Sequence, residues 1–157
     1  MKLPKNVELA IEEFVKACKE KFREDLVSII LFGSYARGDF KETSDVDMLV
    51  IVKKLPKDWK GRKKLFEEII KKINENYGKY VEVIPLTEKE LISNIKHCNS
   101  FLITLLLGHR VLFDKNFFVE NFKSFANILR KERFLYYEGG KKWEIKELAE
   151  KYLSSFG

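Results

Sequence analysis

The stretch 31–50, LFGSYARGDFKETSDVDMLV, constrains this chain more than any other. The apolar run that leads into it, LVSIILF over 26–32, is short, rich in β-branched residues and stopped by Gly33, which predicts a buried strand with functional residues at its end. Ten residues separate Gly33-Ser34 from Asp45, where a second apolar run begins. Over 45–52 strand alternation puts Asp45, Asp47, Leu49 and Ile51 on one face and Val46, Met48, Val50 and Val52 on the other. About a dozen residues between two strands is too few for a parallel crossover with a full helix, so the two are expected to be antiparallel neighbours. That pairing sets Gly33-Ser34 beside both aspartates.

Two carboxylates at i and i+2 on a strand project side by side, an arrangement that suits octahedral Mg²⁺ shared with substrate phosphates. Gly33 allows close backbone approach and Ser34 supplies a hydroxyl. A short helix around Tyr35 to Arg37, broken by Gly38, would aim its N–H groups at an anion. Taken singly, each feature is commonplace: an Asp-X-Asp pair is as readily two solvated acids, and a Gly-Ser an ordinary turn. In combination they describe a phosphate turn facing a pair of metal-binding acids. Arg37 admits two readings, a cation for phosphate charge or a surface partner of Asp39.

The elements around this stretch follow from periodicity. Ile11, Phe14, Val15, Cys18 and Phe22 recur at helical spacing after Pro4, predicting an amphipathic helix to about Glu24. Residues 53–64 read as a basic loop, and Leu65, Phe66, Ile69, Ile70 and Ile73 as the apolar face of a helix ending at Gly78. Residues 80–85, YVEVIP, form a third strand, and a strand–helix–strand unit of this length favours parallel pairing. Glu82 then starts strand three near where Asp45 and Asp47 start strand two. Thr87 and Glu90 form a capping box for a helix to about Ile95, and Asn99-Ser100 recaps a second one over 101–107. Residues 111–113 fit a short edge strand. Beyond them the chain reads as helical, with Phe118, Phe122, Phe125 and Leu129 on one face and Gly139-Gly140 before a last helix over 143–153. The expected fold class is α/β (α+β): a mixed sheet of at least three strands flanked by helices, with a helical C-terminal extension. The expected division is a domain over 1–114 and the extension over 115–157, packed on the same domain.

Composition limits the function classes. At 157 residues, 45% hydrophobic and 13% aromatic, the chain has material for one packed core, so disorder and a disulfide scaffold are not needed. A net charge of +6 favours anionic partners. Cys18 and Cys98 match no metal-ligand spacing and read as buried thiols in a reducing compartment. Charges run through MKLPKNVELAIEEFVK, and no apolar run approaches the roughly 20 residues of a membrane helix, so the expected location is cytoplasmic with no membrane partner.

These residues resemble the nucleotidyltransferases of the DNA polymerase β superfamily, in particular the small stand-alone, or minimal, members. The family signature is Gly-Ser, ten residues, then Asp-X-Asp; here it is Gly33-Ser34, 35–44, then Asp45-Val46-Asp47, flanked by Phe32, Ala36, Arg37, Gly38 and Ser44. The resemblance covers roughly residues 11–114. It implies transfer of a nucleoside monophosphate, by default AMP from ATP, to an acceptor hydroxyl with release of pyrophosphate. It implies two Mg²⁺ ions held by Asp45, Asp47 and a third carboxylate on the next strand, where Glu82 is similar in placement although aspartate is commoner in the small members. Gly33, Ser34 and Arg37 would bind the nucleotide. Small members commonly pair with a separate helical HEPN-type protein, and some act as antitoxins that adenylylate it. No Arg-X4-6-His ribonuclease motif is present, so that partner is not fused to this chain.

Two rivals stay open. One is nucleotidyl transfer to a small molecule, the other a noncatalytic nucleotide- or partner-binding module. The Phe-rich tail reads as a subunit contact, and so a homo-oligomer, or as a completion of the core. Lys53, Lys54, Lys57, Lys60, Arg62, Lys63 and Lys64 are a possible nucleic-acid track, with a solvated face the favoured reading. His97-Cys98 and His109 read as structural, since neither has the partners of a metal site or a hydrolase triad.

Overall fold

The computed structural model describes residues 2–131, the backbone of 135–138 and 141–143, and residues 144–156. Four strands form a mixed sheet in the order β3-β2-β1-β4. β1 (Leu26–Phe32) pairs antiparallel with β2 (Val46–Val52), and β2 pairs parallel with β3 (Val81–Thr87). β4 (Arg110–Asp114) closes the other edge antiparallel to β1. The expected pairings and the edge strand are all present. Asp45 stands one residue outside β2 and is exposed, so of the two aspartates only Asp47 is part of the strand ladder.

The sheet separates two apolar layers because β2 is buried on both faces. Met48 and Val50 pack with Phe14 and Cys18 of α1 (Lys5–Phe22) and with Phe66 and Ile73 beside and within α4 (Glu67–Tyr77). Leu49 and Ile51 face Leu91 of α5 (Glu88–Lys96), Leu102 of α6 (Ser100–Leu106), and Phe118, Phe122 and Phe125 of α7 (Phe118–Leu129). Each buried phenylalanine removes enough apolar surface from water to contribute about 2 kcal/mol. Asp114 joins the tail to the sheet: its carboxylate accepts the Ser28 hydroxyl at 2.7 Å and the backbone N–H groups of Phe117, Phe118 and Val119. Four donors on one carboxylate fix where α7 starts.

Besides Asp45, the structure departs from the sequence reading in three places. The basic loop contains a helix, α3 (Trp59–Lys64), whose N-cap Asp58 accepts the Gly61 N–H at 2.7 Å; WKGRKK holds a single large apolar side chain and so no apolar period to reveal it. The tail is not wholly helical. A hairpin of β5 (Leu135–Glu138) and β6 (Lys141–Glu144) precedes α8 (Ile145–Ser154), so residue 143 is in a strand. Gly139-Gly140 lies outside the described residues. Finally, only Cys18 is a buried thiol, its pKa pushed up to about 12 by burial, whereas Cys98 is exposed; both are free. Among the described residues no helix is long and apolar enough to cross a membrane.

Candidate active site

β1 ends at Phe32, directly opposite Asp47, and the chain turns at once into α2 (Ser34–Arg37). Gly33 makes that turn with φ of +74°, a conformation L side chains rarely adopt. Space at Gly33 is a second constraint: a Cβ built there would lie 2.0 Å from Asp47 Oδ2. The glycine is therefore what lets the phosphate turn and the strand carboxylate come together. Gly33's carbonyl accepts the N–H groups of Ala36 and Arg37, so Ser34 begins a single helical turn. A helix of four residues has little macrodipole, and what it offers an anion is its first-turn N–H groups.

On the other side of Asp47 the parallel register sets Glu82 directly opposite. Asp47's carboxyl is pushed up to about 6, first by burial, then by the nearby charges of Asp45 and Glu82, with Arg37 opposing. Three like charges thus converge on one strand end. They are not drawn into a finished cage: among the described residues no three His, Cys, Asp or Glu side chains stand close enough to hold a metal ion. Glu82 Oε1 lies 4.0 Å from Lys63 Nζ, and Arg37 Nε lies 3.3 Å from Asp39 Oδ2. The surface pairing of Arg37 with Asp39 is thus present, and the same guanidinium also opposes the rise of Asp47. A cavity of about 340 Å³ opens beside Glu82, lined by Lys63, Phe66, Ile70, Tyr80, Val83 and Pro85.

The remaining candidates fall away from this centre. Arg62 is 6% exposed and donates to the carbonyls of Pro56 and Pro85 and to Glu90 Oε1, so one member of the basic run is an internal clamp. His109 Nδ1 donates to the Leu105 carbonyl among Phe118, Phe122 and Tyr152, and burial lowers its pKa. His97 Nδ1 bonds the Ser93 carbonyl at the end of α5. Periodicity gave no hint of Lys79, buried behind α2 and bonded to Tyr35. Its one sequence signal is a lysine flanked by Gly78 and a strand start.

Residues 11–108 match the family model of the nucleotidyltransferase domain. This chain belongs to that family. A Methanocaldococcus jannaschii protein that carries the provisional name of a protein adenylyltransferase is 36% identical over 139 residues, 88% of this chain and 93% of the relative. The match thus runs over most of both chains. Among solved structures, spectinomycin adenyltransferase AAD(9) from Enterococcus faecialis, with ATP and spectinomycin, shares the fold at a TM-score of 0.53 and 13% identity, covering 79% of this chain and 66% of that one. A complex of a tri-AMPylated Shewanella oneidensis HEPN toxin with its MNT antitoxin gives a TM-score of 0.46 at 15% identity, covering 79% and 90%. A likeness at that level carries no functional weight. This nucleotidyltransferase presents its Gly-Ser turn and its carboxylates at the same end of the sheet.

Proposed function

We propose that this nucleotidyltransferase transfers AMP from ATP to a hydroxyl of a protein acceptor, using Mg²⁺ held by Asp45, Asp47 and Glu82. The observation that carries the reading is the register of Asp47, with Gly33 packed against it on one side and Glu82 opposite it on the other. The donor chemistry, rather than the present spacing, suits the ion: three carboxylates, no sulfur or imidazole, and a mutual repulsion that has raised Asp47 and that a hard dication would relieve as it drew them together. When bound, Mg²⁺ supplies charge neutralisation on the phosphates and a lowered pKa for the attacking hydroxyl.

The chain's own residues do the rest. The Gly33-Ser34 turn offers backbone N–H groups and a hydroxyl to the β- and γ-phosphates, and Arg37 turns from Asp39 to the charge that builds on pyrophosphate. The acceptor oxygen bonds to the α-phosphorus as the bond to the bridging oxygen breaks. The hydroxyl proton passes to solvent or to Glu82 as general base. A protein acceptor is favoured over a small molecule by the name of the Methanocaldococcus relative, and a separate HEPN-type partner acting as a toxin is the acceptor that the family resemblance suggests.

The test is incubation with Mg²⁺ and each α-phosphate-labelled nucleoside triphosphate, with and without cell extract, beside Asp47→Asn. Label from ATP on a protein band, with wild type alone, supports the proposal. Label only on small molecules moves the function to the antibiotic-modifying type. Absence of label on any acceptor leaves a binding module.

A further inference from the structure

Residue 79 stands just before Tyr80, whose carbonyl accepts the Val46 N–H at 2.9 Å, and three residues before Glu82. Its side chain is only 8% exposed, unusual for lysine. The ammonium donates to Tyr35 Oη at 2.7 Å and to the Glu42 carbonyl at 2.6 Å, and lies 5.4 Å from the centre of the Tyr35 ring. All these partners are neutral, and among the described residues Lys79 has no ion pair. A cavity of about 460 Å³ lies beside it, lined also by Asn6 and Phe40. Burying an ammonium without a counter-charge costs stability relative to an apolar residue of similar size. Stability is therefore not what this side chain supplies.

What it supplies is connection. Tyr35 follows Ser34 in α2 and is 1% exposed, stacked on Phe40 at 4.7 Å. Glu42 lies three residues before Asp45. Among the described residues, the bond to Glu42 is the sole hydrogen bond from 39–44 to any residue beyond 44, the others being Arg37 with Asp39 and the local pair Lys41 with Ser44. One side chain thus ties together the phosphate turn, the segment that delivers Asp45, and the foot of the strand that carries Glu82. We propose that Lys79 is a positioning residue for nucleotidyl transfer, fixing the distance between the Gly33-Ser34 turn and the Asp45, Asp47 and Glu82 carboxylates. The proposal rests on the nucleotidyl-transfer reading of that site.

The experiment compares wild type with Lys79→Met, which keeps the length of the chain without its donors, and Tyr35→Phe, which removes a single oxygen and keeps the ring. Two measurements are made on the intact proteins: residue-resolved amide hydrogen exchange, and kinetics with ATP and Mg²⁺ titrated separately. The expected result is faster exchange in 34–45 with β1 and β2 unchanged, together with an ATP KM and a half-saturating Mg²⁺ concentration each raised about tenfold. The turnover rate falls about a hundredfold, the loss that a misplacement of about 1 Å produces. A merely structural role lowers the folded fraction and leaves KM and the Mg²⁺ requirement alone, and that outcome overturns the proposal. So does unchanged exchange in 34–45. If Lys79→Met does not fold, Tyr35→Phe decides by the same readouts. A wild type that transfers nothing defeats the transfer reading and, with it, the positioning role, and is distinguished from failure of the positioning role alone, in which wild type transfers and the variants match it.

Discussion

Gly33 and Asp47 are packed so closely that a β-carbon on Gly33 would lie 2.0 Å from Asp47 Oδ2. Gly33→Ala must therefore move the carboxylate or the turn, and it must also hold a side chain at φ of +74°. The strained backbone alone costs about 1–2 kcal/mol. The expected outcome is a protein that still folds, with a Tm lower by about 5 °C, and that has lost nucleotidyl transfer out of proportion to that change. Thermal unfolding and label transfer on the same preparation check it. Retained transfer at wild-type rate would show that the turn and Asp47 can separate without consequence.

Asp47 is held at some cost to the fold. Its carboxyl titrates near 3.8 when unfolded and at about 6 when folded, raised by burial and by Asp45 and Glu82. Between those values the folded state keeps a proton that the unfolded state has released, so stability falls as pH rises through the window and stays reduced above about 6. Asp47→Asn lacks this penalty. In EDTA above about pH 6 the variant should be the more stable, by about 1 kcal/mol after allowing for the water that still reaches the carboxylate. That corresponds to about 3 °C in Tm, and the difference should vanish below about pH 4. Scans across pH measure it directly, and a variant less stable than wild type at neutral pH contradicts the proposed crowding of charge.

The placement of the candidate residues was legible in sequence where local rules act. Strand alternation placed Asp47 with Leu49 and Ile51 on one face, and connection length gave the antiparallel and parallel pairings that bring in Ser34 and Glu82. Thr87 and Glu90 form the capping box their spacing implies. What was not legible depends on contacts between distant residues or on elements without an apolar period. Lys79 reads as one more surface lysine until Tyr35 and Glu42 are folded over it. Arg62 sits in a run of solvated cations and differs from them only because Pro56, Pro85 and Glu90 surround it. The hairpin after α7 lay hidden behind the helical rhythm of the preceding phenylalanines.

Arg62 provides a contrast within one basic run. Replacing it by alanine leaves the Pro56 and Pro85 carbonyls without their donor and removes the 2.9 Å contact with Glu90, whose carboxyl is held below its usual range by Arg62 and the Thr87 cap against the opposing effect of burial. Loss of these bonds should cost about 2–4 kcal/mol. Lys60→Ala, on the same helix, should change stability by less than about 0.5 kcal/mol. Urea denaturation of the two variants side by side measures the difference. Equal effects would return Arg62 to the solvated face with its neighbours.

Glu82→Gln separates the two fates of the third carboxylate. Opposite Asp47 in the parallel register, Glu82 adds to the repulsion that raises Asp47, so its neutralisation should lower the Asp47 titration midpoint below about 6. Side-chain NMR titration of metal-free protein reads that shift whether or not the enzyme turns over. If Glu82 also holds metal or takes the acceptor's proton, transfer should fall by about a hundredfold or more. The electrostatic shift without the kinetic loss would show that Glu82 shapes the charge around Asp47 and pairs with Lys63 but stays out of the reaction. The proton would then go to solvent, leaving Asp45 and Asp47 as the whole of the metal site.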